Sequence, residues 1–136
     1  MMEFVDTNVL LYAVSRDPSE NSKAERARAL LDRDDLCLSV QVLQEFYVQA
    51  TRVGRSDALT HEQAVLLIES FLRFPAQELT LAVMKAALAS KERFQISYCD
   101  AAIIEAARAL GCSVLHTEDL NDGQDYGGVT AKTPFV

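Results

Sequence analysis

The chain has 136 residues, 49% of them apolar and 24% charged, which is the composition of a globular protein and excludes a disordered one. Its length suits one domain over residues 1–136 with a hydrophobic core of its own. A formal net charge of −7 argues against a broad phosphate-binding face, because non-specific nucleic-acid affinity comes mainly from Lys and Arg. That balance fits a protein with no nucleic-acid role, or one whose acids gather around metal.

The first element is a short apolar run, Phe4-Val5, that ends in Asp6-Thr7-Asn8 and passes at once into Val9-Leu10-Leu11-Tyr12. This reads as a buried strand feeding a helix, with Asp6 at the turn. Ligands of parallel α/β sheets bind at the carboxyl ends of strands, so Asp6 faces such a crevice. It equally suits the N-cap of the helix. Asp17-Pro18-Ser19-Glu20 starts a second helix, with buried Ala24, Ala27, Leu30 and Leu31 at helical spacing. Leu36–Ser39 is a strand, followed by a helix from about Val40 to Arg52. Its apolar stripe is Leu43, Phe46, Tyr47 and Ala50, and Gly54 closes it.

Thr60-His61-Glu62-Gln63 is a capping box for a helix that stops before Pro75. A brief strand is expected at Glu78–Leu81 and a helix from Val83 to Arg93. Ser97 to Asp100 starts an Ala-rich helix ending at Gly111, with Glu105 and Arg108 on its outer face and Asp100 turned inward. A strand over Cys112–His116, turns at Asp122-Gly123 and Gly127-Gly128, and a last strand over Val129–Ala131 complete the chain. Strands alternating with helices predict an α/β fold, a single sheet covered on both faces.

No apolar run approaches the ~20 residues of a membrane span. The N-terminus also lacks the features of a secretory signal. A cytoplasmic protein with no membrane partner is expected. Cys37, Cys99 and Cys112 form no C-x-x-C pair, so neither a disulfide framework nor a zinc site is suggested, and all three read as core or near-core residues. His61 and His116 read as structural.

Four acids carry the chemistry. Asp6 and Asp119 each follow a strand, while Asp100 and Glu45 hang over the same sheet edge from helices. Taken singly, Asp100 completes a capping box with Ser97, Asp119 suits a turn, and Glu45 lies on the polar side of its helix with Gln49 and Arg52. Together, carboxylates crowded in one crevice need a cation. The hard-cation answer is Mg2+ or Mn2+, held by one or two carboxylates and retained waters. Such a site activates water and stabilises charge on a phosphodiester.

Val5-Asp6-Thr7-Asn8-Val9-Leu10-Leu11-Tyr12, Leu43-Gln44-Glu45-Phe46-Tyr47, Tyr98-Cys99-Asp100-Ala101-Ala102-Ile103-Ile104 and Leu115–Gln124 occur in that order. In this the chain resembles the PIN-domain ribonucleases, and within them the toxins of VapC type. The resemblance spans nearly the whole chain. It implies a five-stranded, mostly parallel sheet and a Mg2+- or Mn2+-dependent endoribonuclease that leaves 5′-phosphate and 3′-hydroxyl ends. It also implies a homodimer and inhibition by a small cognate antitoxin. On that resemblance Asp6, Glu45, Asp100 and Asp119 are the catalytic and metal-holding quartet, with Thr117 and Asn8 in support. The ending Lys132-Thr133-Pro134-Phe135 departs slightly from the family's commoner Asn-Pro-Phe. Arg52, Arg55, Lys91 and Arg93 are candidates to hold RNA phosphates. The alternatives are a catalytically silent PIN-like module that binds RNA or an antitoxin, and a phosphotransfer protein. The phosphatase form of the latter wants a second Asp where Asn8 stands.

Overall fold

A computed structural model describes residues 1–136, and its elements begin and end where capping side chains and apolar runs require. β1 (Glu3–Val5) buries Phe4 and Val5 completely. Asp6 ends it and caps α1 (Thr7–Ala13), its Oδ1 accepting the Thr7 N–H at 2.6 Å. Asp17 caps a 3-10 turn at Pro18–Glu20 that runs into α2 (Asn21–Leu31), which buries Ala24, Ala27, Leu30 and Leu31 as expected. β2 (Leu36–Ser39) is buried at every position, and Ser39 caps α3 (Val40–Ala50). The Thr60–Gln63 capping box starts α4 (His61–Phe71). The remaining elements are β3 (Ala76–Gln77), α5 (Leu81–Phe94), α6 (Tyr98–Ala109), β4 (Val114–His116) and β5 (Thr130–Lys132).

The five strands lie in the order β3-β2-β1-β4-β5, and every pairing is parallel. Parallel strands need crossovers, and these are right-handed because a right-twisted strand packs its helix back only that way. The chain steps from β1 to β2 to β3 in one direction, so α1 to α4 share one face. It then returns to β4 on the other side of β1, so α5 and α6 cover the opposite face. The order therefore reverses between β1 and β4, the switch point at which parallel α/β sheets bind ligands beyond the strands' carboxyl ends. One cluster of buried side chains joins the sheet to both helical layers, running from Phe4 and Leu10 through Phe46 and Ile104 to Tyr126. Burying one such side chain contributes about 1.5–3 kcal/mol.

Several elements depart from the sequence expectations. The strand expected at Glu78–Leu81 lies earlier, at Ala76–Gln77, where Ala76 is in register with Leu38. The Thr80 hydroxyl accepts the Val83 N–H instead, so Leu81 already belongs to a helix. In α3, Val42 takes the fully buried place given to Tyr47, whose hydroxyl meets His61 Nδ1 at 2.8 Å. Thr51, not Gly54, is the C-cap of that helix. Glu105, expected on an outer face, is buried. α6 is packed between the sheet and α5, so it has little outer face at that position. Ser90 on α5 donates to Glu105 Oε2 at 2.6 Å, and Arg108 donates to Oε1 at 2.9 Å. Cys99 is exposed rather than near the core, while Cys37 and Cys112 are buried.

Candidate functional site

Strand register assembles the centre of the site. Val5 pairs with His116 across β1 and β4, which sets the next residues, Asp6 and Thr117, side by side. The buried Thr117 hydroxyl donates to Asp6 Oδ2 at 2.8 Å. It accepts in turn from Asn8 Nδ2 at 3.1 Å and from the Asp119 N–H at 3.0 Å. That uses the one proton and both acceptor sites of a hydroxyl. Asn8 Nδ2 also donates to Asp119 Oδ2 at 3.2 Å, so Asp6 and Asp119 are tied through two shared side chains.

Glu45 enters from α3. Its Oε2 accepts from the Thr7 hydroxyl and its Oε1 from Gln41 Nε2, each at 3.1 Å. Asp100 comes from the other face, in the first turn of α6, where its N–H donates to the capping Ser97 hydroxyl at 3.1 Å. The Ser97 backbone N–H does not donate back to the carboxylate, so the expected capping box is only half formed. Burial grades across the crevice. Asp6 lies at the floor, Glu45 and Asp100 are half-buried, and Asp119 stands at the exposed rim.

The charges are coupled and uncompensated. Burial, helped by the negative Asp119 and Glu45 and opposed by the hydrogen bonds from Thr117 and Thr7, pushes the Asp6 carboxyl up to about 7. Burial also raises Asp100, Ser97 opposes this, and Asp119 and Glu45 add to it. The same two acids therefore act on both. No Lys or Arg forms an ion pair with any of the four.

A donor set of this kind fits a hard divalent cation. The donors are all oxygen, and Asn8 Oδ1 is buried among them with no hydrogen-bond partner. No three His, Cys, Asp or Glu side chains are gathered tightly enough to hold an ion directly. That disagrees with the enclosed cage of a structural zinc site.

The crowding has a consequence for stability. Above its ordinary carboxylate value Asp6 is charged in the unfolded chain, while the folded protein keeps it protonated until about pH 7. Between roughly pH 4 and 7 the native state thus binds the extra proton, and stability falls as pH rises. The contribution reaches up to about 4 kcal/mol above pH 7. Without divalent cations, the melting temperature should rise as pH is lowered from 8 to 5. A flat or opposite profile by differential scanning calorimetry would contradict the coupling.

The other candidates fall outside this cluster. His116 Nε2 meets Glu3 Oε1 at 2.7 Å and is bonded to none of the four acids. His61 is bonded to Tyr47. Arg55 pairs with Asp57, Arg93 leans over the Phe94 ring, and Arg52 and Lys91 are exposed. A surface depression of about 600 Å3 between α3 and α4 is lined by Val40, Leu43, Tyr47, Val48 and Ile68 and contains none of the acids.

The sequence reading missed four supporting residues. Thr7 and Gln41 both orient Glu45, and the i,i+4 spacing of Gln41 and Glu45 is a visible signal. Tyr12 and Lys23 hold Glu118 at 2.6 and 2.9 Å and so anchor the segment that carries Asp119. Nothing local in sequence announces that contact, because Tyr12 and Glu118 are 106 residues apart.

A profile of the PIN domain matches residues 4–121. Among solved structures, a toxin–antitoxin complex from Klebsiella pneumoniae is similar over 97% of this chain and 97% of its own, with TM-score 0.70 and 18% identity. The Mycobacterium tuberculosis toxin VapC20, described as cleaving the sarcin–ricin loop, matches over 85% of this chain and 88% of its own, with TM-score 0.68 and 21% identity. VapBC2 from Rickettsia felis, bound to a promoter DNA fragment, matches over 98% of each chain, with TM-score 0.67 and 17% identity. At such identities the likeness is one of fold. No curated protein sequence matches.

Proposed function

Because this chain belongs to the PIN-domain family, we propose that it is a metal-dependent endoribonuclease hydrolysing RNA phosphodiester bonds, the toxin of a toxin–antitoxin pair. The observation that carries this reading is the group of four acids at the sheet's switch point with no cationic partner. A silent scaffold gains nothing from that mutual repulsion. The structures of similar fold that are toxins, one of them an RNA-cleaving toxin by description, support the same reading.

Asp6, Asp100, Asp119 and Glu45 are the residues that would hold Mg2+ or Mn2+. When bound, such an ion acidifies water and offsets the charge that builds on a phosphodiester in its transition state. The chain's own part is positional. Thr117 and Asn8 lock Asp6 and Asp119 against each other, and Thr7 with Gln41 fixes the rotamer of Glu45. Side chains held this way need little reorganisation when substrate arrives. Burial of Asp6 keeps bulk water from the floor of the crevice, where charge interactions are stronger than at the surface.

We propose further that the protein is cytoplasmic, is a homodimer and is held inactive by a small cognate antitoxin. No helix is long and apolar enough to cross a membrane. The decisive assay uses purified protein on structured RNA with Mn2+ or with EDTA. Cleavage is expected with the metal and none with the chelator. Cleavage that persists in EDTA overturns the reading.

A further inference from the structure

Away from the acids, the fold brings two buried thiols together. Cys37 lies in β2 and Cys112 follows Gly111 at the end of α6, 75 residues further on. Their Sγ atoms are 2.8 Å apart, and the side chains are 0% and 3% exposed. The expectation that these cysteines are only core filler does not account for that approach. The third cysteine, Cys99, is exposed and takes no part.

We propose that Cys37 and Cys112 are an oxidisable dithiol, which a hydroperoxide converts to a disulfide within the folded chain. The Cys112 sulfur attacks one peroxide oxygen, the O–O bond breaks, and a water leaves a sulfenic acid on Cys112. The Cys37 sulfur then attacks the sulfenic sulfur, the S–O bond breaks and a second water departs. Two thiols lose two hydrogens and two electrons, and one hydrogen peroxide becomes two waters.

Three features assign the order of events. Cys112 is the less enclosed of the pair and lies just past the positive-φ Gly111, at the end of a helix rather than within a strand. Local opening of a helix end costs less than opening a central strand. The contact with Cys37 also lowers the Cys112 thiol despite its burial, while the same contact and burial raise Cys37. Cys112 is therefore the attacking thiol and Cys37 the resolving one. The bridge would tie β2 to the turn between α6 and β4, closing a long loop in the unfolded chain and so stabilising the fold. In a reducing compartment it would be transient.

The test treats the folded full chain, in a Cys99→Ser background, with hydrogen peroxide and then alkylates it under denaturing conditions. Both remaining thiols should be lost, with a mass decrease of two hydrogen atoms and a linked peptide joining Cys37 to Cys112. The melting temperature should rise by roughly 5–10 °C, and dithiothreitol should reverse it. Adding Cys112→Ala should abolish the rise. If that variant does not fold, the peptide map of the wild-type chain decides the matter alone. Oxygen addition without a cross-link overturns the proposal, as does a cross-link that forms only in denaturant.

Discussion

Asp6→Asn should slow RNA cleavage by about 100- to 1000-fold, the loss typical of removing one preorganised electrostatic group. The same substitution should make the metal-free protein more stable at pH 8. Both effects have one cause. At that pH the buried carboxylate is charged, desolvated and faced by Asp119 and Glu45. The amide keeps the shape and removes the charge, relieving up to about 4 kcal/mol. Against this stands one lost hydrogen bond, because the carboxylate accepts from both Thr7 and Thr117 and an amide has a single acceptor oxygen. The Thr117 hydroxyl already accepts from Asn8 and Asp119, so it has no acceptor left for a new amide N–H. Such a bond is worth about 1 kcal/mol, or up to about 3 with a buried donor left unpaired. The relief is the larger quantity, so a rise in melting temperature with a loss of turnover is the expected pair. A variant that loses both stability and activity would show Asp6 to be mainly a helix cap.

Mn2+ should raise the melting temperature of the wild-type protein by about 10 °C at a hundredfold excess over its dissociation constant. A ligand at that excess stabilises the folded state by about 2.7 kcal/mol, and a chain of this size gains a few degrees per kcal/mol. Asp100→Asn should abolish most of the rise. It is a mild substitution for the fold, because the bond that Asp100 makes to Ser97 comes from its backbone N–H and survives. The rise should also shrink from pH 8 to pH 6, since protons and metal compete for the same oxygens. A shift that is absent in the wild type, or unchanged in Asp100→Asn, would contradict the shared charge.

Much of this was legible in the sequence, and the exceptions have reasons. β1, β2 and β4 announced themselves as apolar runs because parallel strands buried on both faces need no alternation. Thr60 and Ser97 set helix starts through local hydrogen bonds, so their signals are local too. β3 was misplaced because two residues carry too little pattern, and the partner that makes them a strand, Leu38, is far away in the chain. Glu105 looked external because charge usually marks a helix's outer face, and only the packing of α5 across α6 reverses that. Among the acids, Asp6 and Asp119 followed from strand ends. Glu45 did not, because the Thr7 hydroxyl that turns it toward the crevice lies 38 residues away. The meeting of Cys37 with Cys112 was invisible for the same reason: no local pattern links a β2 residue to the turn after α6.

Whether one cation draws these carboxylates together is best tested by anomalous diffraction at the manganese edge from crystals grown with Mn2+. A peak in the crevice between Asp6, Asp100 and Asp119 is the expected result. A well-ordered crevice with no peak in it, or manganese bound only at other surfaces, would contradict the metal-dependent site.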